Sequence, residues 1–333
     1  MSGKSPIDLS RIPAPNIVEA LNFETIFEEM KAELIGLEPE VESVLTLESE
    51  PLTKILQVCA YRELLTRQRI NEAAKGVMLA FAEKNDLDHL GALLNVARLV
   101  ISEANPTANP PIEEVLENDD EYRLRIQLSL DGLSTAGPEL AYIFHTLSAS
   151  GQILDASVTA PVFSRAAISP AVRGQLPENS IVLQVDDDAG LAEPMPGDVV
   201  VTVLSRDASG VPDNQTLEAV EQALNKESVR PLTDNVNTRA ASIIDYAVDA
   251  TIYTYAGPDS TVVIEEAAAA INNYTEENKR LGRSITRSGI FAALHVAGVQ
   301  RVDLTQPAAD VTCTDAQAAR NVSLNLMYGG NAQ

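Results

Sequence analysis

The sequence predicts an α+β protein, with long amino-terminal helices followed by two small mixed helix-and-sheet modules. Three observations carry this reading. The first hundred residues show apolar steps of three and four, the spacing of helices. From Ile153 the period changes to short Val/Ile-rich runs bounded by turn residues. Helices and strands then come in segregated runs rather than strict alternation. A chain of 333 residues also exceeds what one compact core usually organises. The predicted parts are a helical region (1–104), a proline-rich linker (105–118), a middle module (119–238) and a carboxy-terminal module (239–333).

The first helix is read from Phe23, Phe27, Met30, Leu34, Leu37, Val41 and Val44, a seam of alternating steps of four and three. Asn22 suits its N-cap, with Glu24 in the first turn. Gly36 and Pro39 divide the stretch into two helices. The stripe serves equally a helix packed on its own domain or a seam for a partner. A second helix opens at Pro51 and is expected to reach about Ala82, on the order of 45 Å. Leu52, Leu56, Cys59, Ile70, Ala74, Val77 and Phe81 share one side of it. Glu63 and Arg67 interrupt that stripe at a favourable i,i+4 spacing. The middle of this helix is polar and locally basic, with Arg62, Arg67, Arg69 and Lys75. "NDLDHLGALLNVAR" reads as a turn and a short helix capped by Asp86 or Asp88.

"NPTANPP" (105–111) halts helix. A helix from about Asp120, a turn at "DGLSTAGP" and a helix opened by Pro138 follow. "ILDASVTAP", "SIVLQVDDD" and "DVVVTVLSR" read as strands. "PDNQTLEAVEQALNK" reads as a helix capped by Asp213 or Asn214. In the last module "IDYAVDATIYTY" alternates as a long strand. Two helices come next, one capped at Ser260 and one stopped by Gly298, and "VQRVDLTQ" and "RNVSLNLMY" close the module as strands. The segment 163–176 carries no signal, and no internal repeat stands out.

The totals exclude several function classes. Apolar residues make up 45%, a globular value, and a net charge of −24 with a pI near 4.4 argues against a nucleic-acid grip. The same charge is repelled by an anionic membrane surface. No run is long and apolar enough for a span, and "MSGKSPIDLS" lacks the apolar core of a signal peptide. Cys59 and Cys313 fit neither a disulfide framework nor a zinc spacing, which suits a reducing compartment. The glycosylation patterns at Asn273 and Asn321 are then chance matches.

Catalytic constellations are not found. His89, His145 and His295 lie in different predicted elements, so no metal site is expected. "GLSTAG" is G-x-S-x-x-G between helices, not a nucleophile elbow. No phosphate-binding loop or dinucleotide fingerprint occurs, and no cofactor is expected. "DDDAG" (186–190) lacks the alternating ligands of a calcium loop and reads as a solvated turn. Glu28 and Glu29, Glu113 and Glu114, and Asp119 and Asp120 are paired only by adjacency, which on a helix does not bring side chains together.

"IDLSRIPAPNIVEALNFETIFEEMKAEL", "ILQVCAYRELLTRQRINEAAKGVMLAFAEKNDLDHLGALLNVAR", "DDEYRLRIQLSLDGLSTAGPELAYIFHTLSASGQILDASVTAP" and "GDVVVTVLSRDASGVPDNQTLEAVEQALNKESVRPLTDNVNT" together resemble the baseplate J-like proteins of contractile phage tails and related injection devices. The resemblance covers nearly the whole chain. It implies a structural wedge subunit rather than an enzyme. It further implies that two copies join one different wedge protein through an intermolecular bundle of amino-terminal helices. The carboxy-terminal part would link neighbouring wedges into a sixfold ring around the tail hub, and a small lysozyme-like wedge protein would connect this ring towards the sheath. The ring would hold the sheath extended and rearrange on triggering. Such a chain is assembled in the bacterial host cytoplasm and ends in the baseplate of a virion or tail-like particle.

On that resemblance Phe23, Phe27, Met30, Leu34, Leu52, Leu56, Ile70, Ala74, Val77 and Phe81 are expected to meet other chains. Arg62, Arg67 and Arg69 would set register or pair with acidic groups of a neighbour; the alternative is internal pairing with Glu63 and Glu72. "RPLTDNV" (230–236) is read as fold-determining, with Arg230 and Asp234 closing the turn. Removing residues 1–100 should then abolish wedge assembly and leave the later modules folded. A hydrolase using acidic residues is the alternative function, and an acidic binding module without sixfold assembly is a third.

Overall fold

The computed structural model describes residues 7–13, 15, 21–133, 138–257 and 259–331. The serine motif at 134–137 and part of the resembling amino-terminal segment lie outside them. Of the described residues, one compact unit takes 7–98 and 118–126, and another takes 99–117 and 127 onward.

The first unit is helical. Helix α1 spans Phe23–Leu37, α2 Glu42–Leu45, α3 Pro51–Gly76 and α4 Lys84–Leu93; α5 (Asp119–Leu128) contributes its residues up to Ile126. Asn118 caps α5 by accepting the Glu121 amide at 3.0 Å. Tyr122 is fully buried, and its hydroxyl donates to the Val96 carbonyl at 2.7 Å. Three arginines collect carbonyls and carboxylates around it. Arg123 donates to the Leu79 and Ala82 carbonyls, each at 2.8 Å, and Arg125 to that of Ala97 at 2.6 Å. Arg98 pairs with Asp88 and Asp119, both at 2.8 Å, and lies 4.6 Å over the Tyr122 ring. Burial pushes the Asp119 carboxyl up, but the Lys84 amide and Arg98 outweigh it and hold its pKa below the ordinary value. Asp88 is thus a partner of Arg98 rather than a cap; α4 begins after Glu83 with no side-chain cap.

The second unit carries the sheets. Strands β1 (Val100–Ser102) and β2 (Val115–Leu116) pair antiparallel, so the proline-rich stretch forms the connection of a short hairpin. Helix α6 (Glu139–Ala149) packs on β3 (Ile153–Thr159). Strand β3 pairs antiparallel with β6 (Asp198–Ser205), and β7 (Asn235–Ala240) joins β6 in parallel across α8 (Asn214–Leu224). Asp213 is the α8 cap, accepting the Thr216 amide at 2.8 Å. The segment without sequence signal holds β4 (Val162–Arg165) and α7 (Pro170–Arg173), and β4 pairs with β5 (Leu183–Asp187).

In β8 (Ser242–Thr254) the predicted alternation is realised. Tyr246, Val248, Ala250, Ile252 and Thr254 are buried, every second residue. This strand is the centre of a three-stranded sheet, with β10 (Gln317–Asn331) parallel on one side and β9 (Val299–Gln306) antiparallel on the other. Helices α9 (Ser260–Glu277) and α10 (Arg287–Leu294) cover it with Val263, Ala267, Ile271, Ile290 and Leu294. The α9 cap is Asp259, not Ser260, because the aspartate accepts the Thr261 amide at 2.9 Å. Helix α10 ends at Leu294, and Gly298, at φ 95°, serves the turn beyond it.

The two three-stranded sheets of this unit are joined tightly. Leu204, Ala241, Leu281 and Ala318 form a shared apolar cluster. Asp155 accepts the Leu281 amide at 2.8 Å, and the Ser157 hydroxyl donates to the Asp315 carbonyl at 2.6 Å. Arg320 forks onto Asp245 at 2.7 and 2.9 Å and reaches the Ser209 carbonyl at 3.0 Å.

Two stability predictions follow from this packing. A Cβ at Gly91 would stand 1.9 Å from the Tyr122 hydroxyl and 2.8 Å from the Val96 carbonyl. Gly91→Ala should therefore cost about 1–3 kcal/mol, read as a lower urea midpoint of the full chain. The second concerns Asp198. The Asn235 side chain, the Met195 amide and Asn237 hold its carboxyl below the ordinary value. A depressed folded pKa stabilises above the unfolded pKa, and that stability is lost as pH falls through the folded value. Wild type should weaken as pH falls from about 4 downward, and Asp198→Asn should flatten that part of a urea-midpoint-against-pH profile.

Candidate partner interface

Helix α1 starts where its cap dictates. The Asn22 side chain accepts the Thr25 amide at 3.2 Å, and Glu24 sits in the first turn, where the helix dipole favours a carboxylate. After Leu37 a 3-10 turn and α2 lead to Pro51, which opens α3. Ile26 and Phe27 of α1 press on Ala60 of α3, with Phe23, Met30, Leu56 and Leu64 around them. Ala60 is fully buried, and its small side chain lets the two helices approach closely. The Phe23 and Phe27 rings stack at 5.9 Å, and the Lys31 ammonium lies 4.3 Å over the Phe27 ring. Much of the first predicted seam (Phe23, Phe27 and Met30) is thus engaged inside the chain, and Leu34 is half-buried.

Helix α3 shows two faces. Thr53, Ala60 and Asn71 are buried along one line, with Leu52, Leu56 and Ala74 half-buried beside it. Arg67 belongs to this side: its Nε donates to Glu63 at 2.9 Å, and its guanidinium lies 3.9 Å from Glu29 of α1. Part of the polar waist therefore serves the α1–α3 pairing. Gln68 donates to Glu72 at 2.8 Å.

The opposite face is open. Ile55, Val58, Arg62, Leu65 and Arg69 follow one another at steps of three and four, the a/d spacing of a helix seam. Ile55 is 58% exposed, Val58 60% and Leu65 38%, and Ile70 borders them at 49%. Arg62 and Arg69 are exposed and pair with no carboxylate among the described residues. Ile55 and Val58 were absent from the sequence-derived stripe. Their spacing was readable, but choosing between two stripes of α3 requires knowing which one α1 covers.

The helix also ends earlier than its sequence suggested. It stops at Gly76, so Val77, 70% exposed, and Phe81 lie in the turns beyond and do not extend the stripe. Glycine weakens the helix at that point. The Leu79 and Ala82 carbonyls, which a further turn would have bonded, go to Arg123.

Elsewhere among the described residues the geometry brings no reacting groups together. Among the described residues no three His, Cys, Asp or Glu side chains could hold a metal ion. The His145 Nε2 lies 3.1 Å from the Gly132 carbonyl, and burial lowers its pKa. His145, Ser148, Gln222 and Lys226 line an open cleft between α6 and α8 that holds no carboxylate pair. In "DDDAG", Asp187 accepts the Ala189 amide and Asp188 that of Gly190, at 2.8 and 2.7 Å. The expected Arg230–Asp234 pairing is replaced: Arg230 donates to Asn225, and Asp234 accepts the Tyr142 hydroxyl at 2.8 Å. Burial, and then Asp234, push the Tyr142 hydroxyl well up, so it remains a donor. Among the described residues no helix is long and apolar enough to cross a membrane.

Comparison with known proteins agrees with this absence of catalytic geometry. Residues 48–105 match the baseplate J-like N-terminal domain, 134–240 the baseplate J-like central domain and 246–325 the baseplate J-like protein C-terminal domain. The chain is 44% identical over 330 residues to baseplate protein J of Escherichia phage P2, covering 98% of both chains. The acidic-residue hydrolase reading falls with these matches. The chain belongs to the baseplate J-like family, whose members are structural proteins of phage baseplates and not enzymes.

Proposed function

We propose that the chain is a wedge subunit of a contractile-tail baseplate and that the outward seam of α3 is its docking face. The observation that carries this is the run Ile55, Val58, Arg62, Leu65 and Arg69, exposed on the side of α3 away from α1. Apolar side chains at heptad spacing gain stability only when another helix covers them. Arginines at two positions of the same seam cost affinity and set register, the use helical bundles make of polar seam residues. An acidic neighbour would pair with them.

In this reading two copies of the chain join one different wedge protein in a mixed bundle built on α3. Of the residues first expected at the interface, Arg62, Arg69 and Ile70 stay there, with Leu52 and Ala74 at its margin. Phe23, Phe27, Met30, Leu34, Leu56 and Arg67 support it by holding α1 against α3. The carboxy-terminal module (239–333) connects neighbouring wedges into a sixfold ring around the hub, and a lysozyme-like wedge protein joins that ring towards the sheath. The ring holds the sheath extended and rearranges when contraction is triggered, and wedges assemble in the host cytoplasm. The parts 1–104, 105–118 and 119–238 act as bundle region, connector and middle module. Cutting after residue 100 would also strip Tyr122 of its Val96 acceptor. Point substitutions therefore separate assembly from folding better than truncation does.

The test is co-expression with neighbouring tail genes followed by native mass spectrometry. The expected species holds two copies of this chain and one different subunit, and a stable monomer that ignores those partners overturns the reading. Ile55→Asp with Val58→Asp should abolish the heteromer while shifting the chain's own stability by no more than about 0.5 kcal/mol per site. Phe27→Ala should do the reverse of that in origin, costing the isolated chain about 3–5 kcal/mol in urea unfolding before assembly is considered.

A further inference from the structure

The arm formed by β4, α7 and β5 stands apart from every core. No residue from Ala160 to Gly197 is buried. Yet the segment is rich in large apolar side chains: Val162, Val172, Ile181, Leu183, Val185 and Met195 are all exposed. Its sheet has only two strands, with register Val162↔Asp187 at the base and Arg165↔Leu183 further out. A two-stranded hairpin in water is marginal at best and gains lasting stability from a third strand or a packed surface. Both outer edges of β4 and β5 are unpaired among the described residues.

The charge of the arm differs from that of the chain. Between Ala160 and Val185 only Arg165, Arg173 and Glu178 ionise, a net charge of +1 that leaves −25 on all other residues. Arg165 and Arg173 are exposed, and Arg173 spends one Nη on the Ser180 carbonyl at 2.9 Å. The aspartates 186–188 stand at the base, where Asp187 and Asp188 bond their own turn. The distal arm is therefore an apolar, slightly basic surface on a strongly acidic protein.

We propose that this arm docks on the acidic surface of a second copy of the same chain. The arm supplies apolar area and two guanidinium groups, and the second copy supplies carboxylates, so the contact is locally attractive where two acidic bodies would repel. The contact joins unlike surfaces, arm to body, and is heterologous. It rests on the arm alone and does not depend on the α3 seam.

Sedimentation velocity of the purified full chain, across a concentration series at low and high salt, tests it. To keep the α3 seam out of the measurement, the chain carries Ile55→Asp and Val58→Asp throughout. Reversible self-association that weakens with salt is expected in this background. Leu183→Glu with Val185→Glu should raise the dissociation constant at least about tenfold. Arg165→Glu with Arg173→Glu, which leaves the apolar residues in place, should weaken association and remove its salt dependence. Circular dichroism melts should match the parent, since none of the four residues touches a core. A chain that stays monomeric at every concentration overturns the proposal, as does association that all four arm substitutions leave unchanged. Neither result bears on the wedge heteromer, which requires the unaltered α3 seam.

Discussion

The packing of α1 on one side of α3 is the constraint on which the interface depends. Ile26 and Phe27 close over Ala60, and Arg67 ties Glu63 to the same side. A helix of 26 residues cannot bury its whole circumference on one short neighbour. What α1 leaves uncovered is therefore decided by where α1 sits. That leftover face is not random surface, because it keeps heptad spacing and carries Arg62 and Arg69, which pair with no carboxylate among the described residues. The polar waist thus divides in two, one part spent on the hairpin of the chain itself and one part presented outward.

A second theme is how arginine replaces secondary structure where the chain turns. After Gly76 the backbone leaves the helix, and its carbonyls at Leu79 and Ala82 are met by Arg123, while Arg125 meets that of Ala97. A guanidinium carries five donors in a rigid fork and can satisfy several carbonyls that would otherwise be lost to a helix end. In the sheet unit the same device recurs at Arg320, which bonds Asp245 and the Ser209 carbonyl. With the cluster of Leu204, Ala241, Leu281 and Ala318, it joins the two sheets into one body. Several arginines of this acidic chain are thus structural, whereas Arg62 and Arg69 of α3 and Arg165 of the β4–β5 arm are exposed.

Caps, alternation and composition were legible because they are local. Asn22 and Asp213 cap the helices they precede, and β8 buries every second residue, as its sequence pattern requires. The misreadings have equally physical origins. Asp259 took the cap from Ser260 because its carboxylate reaches the Thr261 amide, a choice between adjacent candidates that propensity does not rank. Strand β4 was invisible because its exposed residues give no burial period to detect. Tyr142 claimed Asp234 from 92 positions away, displacing the nearer Arg230.

By itself the sequence determined the helix-then-sheet order, most helix starts, the acidic character that disfavours nucleic acid, and the family. Each depends on residue type and short-range spacing, which survive without coordinates. Only the tertiary structure decided which stripe of α3 is spent internally, where α3 stops, and which arginines remain exposed. Those depend on contacts between residues distant in sequence, such as Phe27 with Ala60 and Arg123 with Leu79. Two stripes of equal spacing on one helix are indistinguishable until a neighbour covers one of them.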